Sequence, residues 1–417
     1  MALDELKQEK DSDKEYQNLD TPEEFEEKAE QISERSRNLE LFVLFLIAGR
    51  LREIGKSGKP LTDKIKKEDL RKIAEQTHLA EVLTKADMNR LLESAVRDMY
   101  KDSKIFYEAT KTEYPSLSEN TALQEILEEF KRGVLKDKRF LTQAFMLRNP
   151  KNRTQLIATP LSEAYNEVIN QAAEQITKGV GDYTSAIRKI VKTMTDNGMK
   201  TVEYDPESGK KFSQSTDAAV KRNILDNIRD ISQRTSDEIG KQYGSDGKEL
   251  SVHEHSAPDH EPLQGHQFTN EEYEKMQTQQ DFEDYKGRHF KAIQRRIGIW
   301  NCCHFAFSIL LGIKKPNFTD EELQANIDRN HEGYTDENGK HRTLYECSQV
   351  QRKYEREIRN AKRGQVIARE AGDIELARQY QMEINEKMAE YLDFSEKCGL
   401  QPHKENMTIP GYRKIKV

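Results

Sequence analysis

Over residues 251–312 the three-and-four spacing of apolar residues that governs most of the chain stops. Pro258, Pro262 and Gly265 break any helix there, so the side chains must project from turns and short strands. Into the first part of this stretch the chain gathers His253, His255, His260 and His266, four of its ten histidines, and near its end stands the adjacent pair Cys302 and Cys303. Soft and borderline ligands rarely concentrate in this way in a chain otherwise filled with Lys and Glu. The segment therefore reads as a compact, loop-rich core carried by helical parts on both sides.

Those helical parts are legible from periodicity. Leu39, Phe42, Val43, Leu46, Ile47, Leu51 and Ile54 mark a first helix, apolar nearly all round and hence buried on more than one side. Between Thr62 and Phe130 several helices are expected, with breaks near Thr77-His78, Thr84-Lys85 and Pro115, and a further helix from Ala122 to Val134. Helices follow over 160–177 and 183–195, then a β-hairpin from Thr201-Val202-Glu203-Tyr204 to Phe212, then a long helix over 218–243. Leu250-Ser251-Val252 reads as a short strand. The last element, 344–397, carries two stripes separated by Glu370-Ala371-Gly372-Asp373, the pattern of a helical hairpin.

The fold class expected is mainly α with a small α+β core over about residues 200–315, an elongated helical N-terminal region and a C-terminal helical hairpin. The organisation reads as a polar, disordered or fraying arm (1–38), a helical N-terminal region (39–155) and helices plus a β-hairpin (156–245). The His/Cys-rich core (246–320), a polar loop (321–343) and the hairpin with its tail (344–417) complete it.

Composition narrows the function classes. Charged residues make up 34% of the 417, against about 25% in ordinary domains, and mean hydropathy is −0.93. Such a chain leaves helices solvated or reserves their stripes for partners. With 74 acidic against 67 basic residues the net charge is −7, so global attraction to nucleic acid is not indicated. The longest apolar run, residues 41–48, is far short of the about 20 residues that span a bilayer. The N-terminus lacks the order of a secretory signal, and four cysteines in so long a chain form no disulfide framework. Cytosolic synthesis with reduced thiols is expected. Gly55-Lys56-Ser57 imitates a phosphate loop, but Arg50 stands where that motif needs its first glycine, so a linker is expected.

The candidate metal ligands are His253, His260, Cys302 and His304, with His255 and Cys303 as substitutes and zinc as the cation. Cys302 and His304 are two apart and would share one side of a strand, while a proline-containing turn would bring His253 and His260 together. The competing account is a hydrogen-bonded polar network in which Asp259 orients a histidine. A metal-dependent nuclease, with Asp259-His260 as base and Asn301 and His304 completing the site, is the alternative function.

Several motifs line up in order. They are Gly179-Val180-Gly181-Asp182-Tyr183 with Asn197-Gly198, Val202-Glu203-Tyr204 with Ser208-Gly209, and Ala218-Ala219-Val220-Lys221-Arg222. Next come His253 and Pro258-Asp259-His260 with Gln264-Gly265, then Asn301-Cys302-Cys303-His304, and last Tyr345 with the run from Ser348 through Arg359 and Lys362-Arg363. Together, over roughly residues 160–417, they resemble the phage minor capsid protein 2 family and, more loosely, the Mu F-type head morphogenesis proteins. His255, Ser256 and Ala257 stand where the family pattern has Gly-Ala-Arg, and Cys303 where it has Arg, so neither arginine is present for phosphate or ion pairing. The resemblance implies a non-enzymatic minor structural protein of a tailed-phage head. It would sit at the portal vertex or capsid interior and act in head assembly, genome packaging or DNA ejection. Portal, capsid or scaffold proteins are the implied partners, with packaged double-stranded DNA as a further candidate contact and several copies per virion. No membrane contact is implied. The chain ends soon after the hairpin, so no additional C-terminal toxin domain is expected.

Overall fold

The computed structural model describes residues 22–136, 144–148, 156–177, 188, 192, 198–204, 211–253, 256–298, 302 and 304–417. The architecture is mainly helical with small antiparallel sheets, as expected. Its organising element is α1 (Pro22–Ser57), which packs against α2 (Asp63–Asp102), α5 (Leu161–Thr177), α6 (Thr216–Tyr243) and α9 (Leu344–Glu370). Between them lie α3 (Lys104–Thr110) and α4 (Thr121–Lys136).

Residues 22–38, read from sequence as part of a polar arm, are instead the first turns of α1. Pro22 suits the first helical position, where no amide partner is needed. Phe25, Ala29 and Ile32 are buried, one helical face apart by fours and threes. The Gly55-Lys56-Ser57 linker is likewise the end of this helix, which Gly58 closes at φ +63° by donating to the Ile54 carbonyl at 2.8 Å. The breaks expected at Thr77-His78 and Thr84-Lys85 do not occur, and α2 is continuous. Thr77 meets its hydroxyl's need inside the helix by donating to the Ile73 carbonyl at 2.7 Å, and Thr84 is buried.

Two helical cores share the long elements. The first joins Val43, Ile47, Leu51 and Ile54 of α1 to Tyr165 and Ile169 of α5 and to Ile367, Ala377 and Ile384 of the C-terminal hairpin. The second joins Phe25 and Ile32 to Met88, Leu92 and Val96 of α2, to Leu123 of α4, and to Ile224, Ile228 and Ile231 of α6. Each buried side chain of this size contributes about 1.5–3 kcal/mol, so packing rather than helix propensity fixes α1. The N-terminal helices and the C-terminal hairpin, distant in sequence, thus share the first of these cores.

A four-stranded antiparallel sheet has the order β2-β1-β3-β4, from β1 (Ala144–Arg148), β2 (Leu156–Pro160), β3 (Met199–Tyr204) and β4 (Lys211–Ser215). The β3–β4 hairpin was expected. The β1–β2 pair was not, and it extends the β-structure N-terminal to the 200–315 interval. The helix expected over 183–195 lies in a stretch of which only Arg188 and Lys192 are described.

A second sheet has the order β6-β5-β9, from β5 (Gly247–Leu250), β6 (Gln267–Thr269) and β9 (Ala306–Ile309). It rests on α6, where Ser236 accepts from the Ser308 amide at 2.7 Å. Gly240 permits the approach, because a Cβ there would lie 2.7 Å from the Ser308 side chain. Around this sheet lie α7 (Asn270–Gln277) and the short pair β7 (Phe282–Glu283) and β8 (His289–Phe290). The polar loop expected over 321–343 is instead α8 (Asp320–Glu332), started by a reciprocal cap between Thr319 and Glu322, followed by the pair β10 (Tyr334–Thr335) and β11 (His341–Arg342). α9 and α10 (Ile374–Lys397) form the expected hairpin, turning at Gly372 with φ +85°. No helix among the described residues is long and apolar enough to cross a membrane.

Candidate metal centre

The site is assembled where the β6-β5-β9 sheet runs out into loops. Ser251 extends the β5–β9 ladder by one step: its amide donates to the Phe305 carbonyl at 2.9 Å and its hydroxyl oxygen accepts from the Phe305 amide at 2.9 Å. This fixes the lead-in to β9, with Cys302, His304 and Phe305, beside the end of β5. The chain then turns through Pro258–Gly265 and comes back, with the Gly265 amide donating to the Leu250 carbonyl at 3.0 Å. Gly265 has φ +73°, and a Cβ there would lie 2.4 Å from Leu323, so only glycine closes this loop comfortably. Gln264 pins the loop across its base by accepting from the His253 amide at 3.0 Å.

The fold places His260 over Cys302. The Cys302 Sγ lies 3.3 Å from His260 Nδ1 and 3.4 Å from His304 Nδ1, and the ligand atoms of these three buried residues all fall within 4.8 Å of one another. His260 Nε2 donates to the Arg295 carbonyl at 2.8 Å, which leaves Nδ1 as a lone pair facing the sulfur. His304 Nε2 lies 3.5 Å from the Ser256 hydroxyl, at the outer limit of a hydrogen bond. Leu250, Leu263, Tyr273, Ile293, Ile297 and Ala306 pack in the same apolar cluster as Cys302.

The electrostatics ease loss of the Cys302 proton. Burial alone would push the Cys302 thiol up. His260 beside it, with the backbone amides of Gly298 and His304, outweighs burial and holds the thiol below its ordinary range. Gly298 reaches this position with φ +91°. Burial opposes a charged His260, but the Cys302 sulfur, the Arg295 carbonyl and Asp259 raise its pKa above the ordinary value. His304 is held well below its usual range, first by burial and then by the neighbouring charges, and so stays neutral.

Of the residues singled out in the sequence, His260, Cys302 and His304 converge. His253 does not join them: its ring meets His304 edge-on at 4.8 Å between centroids, and its Nε2 lies 3.1 Å from the Ser251 hydroxyl. His255, Asn301 and Cys303 lie outside the described residues. Asp259 was expected to orient a histidine. Its carboxylate is 3.5 Å from His260 Nε2, and the nearer partner is the Arg295 carbonyl. As a general base, His260 would need an open face. It is 1% exposed with both ring nitrogens engaged, so the geometry gives the nuclease reading no support. Sequence reasoning missed the Arg295 carbonyl and the Gly298 amide. Both are backbone groups, which carry no side-chain signal.

A model of the family described as Phage minor capsid protein 2 matches residues 21–395 of the 417. The match begins well before residue 160, where the likeness of motifs began, and takes in the N-terminal helices. No curated protein and no solved structure matches.

Proposed function

The chain belongs to the phage minor capsid protein 2 family, and from that premise we propose that it is a minor structural protein of a tailed-phage head. In this reading it is bound at the portal vertex or capsid interior and acts in head assembly, genome packaging or DNA ejection. The observation that carries the reading is the span of the match, residues 21–395, which includes nearly all of the helices that build both helical cores. The interlocked framework supports it: α1 joins N-terminal helices to the C-terminal hairpin, a build suited to bearing contacts from several directions. Leu79, Val82 and Leu83 are exposed on one face of α2, apolar surface of the kind that partners cover.

The test is detection of the protein by mass spectrometry in purified virions, DNA-free heads and particles that have ejected their genome, with chemical cross-linking to identify neighbours. Cross-links to portal or capsid protein are expected in the virion. Retention after ejection assigns it to assembly or packaging, and loss with the genome assigns it to ejection. Its absence from every particle fraction would refute a virion role.

A further inference from the structure

Among the described residues one group of metal-ligating side chains converges in the interior, and hydrogen bonding within the protein serves it incompletely. Without a cation, His260 accepts the Cys302 S–H at Nδ1, and His304 must donate from Nδ1 to the sulfur. His304 Nε2 is then an acceptor whose hydroxyl partner, Ser256, is 3.5 Å away, a weak bond for a group 4% exposed.

With a cation between them, these features become consistent. Zn–S of about 2.3 Å and Zn–N of about 2.0–2.1 Å at a tetrahedral angle require S···N separations of about 3.5 Å. The observed separations are 3.3 and 3.4 Å. His260 donates its other ring N–H to a backbone carbonyl, the arrangement by which proteins orient a ligating imidazole. All three residues are buried, which suits a structural site better than one that turns over substrate.

We propose that His260 Nδ1, Cys302 Sγ and His304 Nδ1 bind one zinc-class divalent cation, which fastens the Pro258–Gly265 turn to the lead-in of β9. A fourth position is left for water. The proposal stands apart from the virion role, because it concerns only how this local core is closed.

The experiment uses the full chain, produced in zinc-supplemented medium and purified under reducing conditions without chelator. Elemental analysis is expected to give about one zinc per chain. Less than about half an equivalent, with no uptake when zinc is added to the reduced protein, overturns the proposal. X-ray absorption at the zinc edge must then show one sulfur at about 2.3 Å with nitrogen neighbours at about 2.0–2.1 Å, and a shell without sulfur overturns it. Replacement by cobalt(II) should produce a thiolate-to-cobalt charge-transfer band that is lost in Cys302→Ser. A band that survives in Cys302→Ser and disappears in Cys303→Ser overturns the assigned ligands. The absorption measurement uses the unaltered protein, so a variant that fails to fold leaves the proposal falsifiable.

Discussion

Glu40 should be one of the residues whose loss the helical framework tolerates least. One carboxylate oxygen accepts from the Met199 amide at 2.8 Å and from Arg363 Nη1 at 2.8 Å, so it ties α1 to β3 and to α9. The side chains of the pair are only 9% and 12% exposed. Removing one member of a buried ion pair costs about 3–5 kcal/mol, because the other charge stays buried without compensation. The orphaned Met199 amide adds about 1–3 kcal/mol where water does not reach it. Glu40→Met and Arg363→Met should therefore each destabilise by several kcal/mol. The double variant should cost much less, near the amide penalty alone, giving a coupling of at least about 3 kcal/mol. Gly198 is a second route to the same clasp: it has φ +54°, and a Cβ there would lie 2.6 Å from the Glu40 carboxylate. The assay is hydrogen exchange at the Met199 amide, supported by urea denaturation followed by far-ultraviolet circular dichroism. The pH dependence has a definite sign. Burial raises the Glu40 pKa above the usual carboxylate range, and Arg363 and the Met199 amide offset this only in part. The folded state thus binds the proton more readily than the unfolded chain. The proton-linked part of its contribution, which is separate from the ion pair, is fully present below the ordinary carboxylate pKa and is lost as pH rises through the raised value. The wild type should therefore gain stability relative to Glu40→Gln as pH falls through this window. Additive single variants, or a Glu40→Met cost below about 1 kcal/mol, would refute the reasoning.

Three further outcomes follow from buried polar groups. Asp69, 0% exposed, accepts from Arg50 at 2.7 and 2.9 Å and from the Tyr165 hydroxyl, so Asp69→Ala should destabilise the α1–α2–α5 junction by about 3 kcal/mol in urea denaturation. A cost near zero would show that Arg50 and Tyr165 find other partners. His266 is held at about 4, by burial and then by Arg288, whose guanidinium donates to its Nδ1 at 2.8 Å. The unfolded chain takes up this proton first, so stability is present above about 6.5 and is lost as pH falls towards 4, by about 2 kcal/mol between pH 7 and 5. His266→Gln should flatten that part of the urea-midpoint profile, and an unchanged slope counts against the assignment. Cys347 and Cys398 are buried neighbours, and burial pushes the Cys398 thiol up to about 12. Maleimide labelling of both, read by peptide mass spectrometry, should be slow in the folded protein and fast in denaturant, and rapid native labelling would contradict the packing.

The elements legible in the sequence are those whose signals are local. The stripes of 39–54, 122–134 and 218–243 lie within helices, and Gly372 divides the C-terminal hairpin because it supplies the left-handed residue that the turn requires. The first turns of α1 were obscured by charge, although Pro22, Phe25, Ala29 and Ile32 carry a helical spacing. Arg37, 8% exposed, is ion-paired to Glu30 at 2.6 Å and to Asp217 at 3.5 Å, and Asp217 lies 180 positions away in sequence. A charged fraction of 34% pointed to solvated helices or to stripes reserved for partners, yet Glu40, Asp69 and Arg37 lie in the interior as ties between elements. β1 and β2 went unread because the basic, turn-rich segment between them dominated the local composition.

The candidate metal centre was visible as a concentration of ligand types, but concentration could not choose among six residues. The choice is made by the β5–β9 register, which brings Ser251 opposite Phe305, and by the Gly265 closure, which turns His260 back over Cys302. The same geometry separates this site from the framework. Its apolar cluster is drawn wholly from Leu250 through Ala306, whereas the clasp at Glu40 joins residues more than three hundred positions apart in sequence, at a separation of 323. Two regions built on different side chains should open independently. Cys302→Ser should therefore speed amide exchange within residues 256–306 while leaving the Met199 amide as protected as in the wild type. Glu40→Met should do the reverse. Equal loosening of both regions by either variant would mean that the small sheet and the helical framework unfold as one unit.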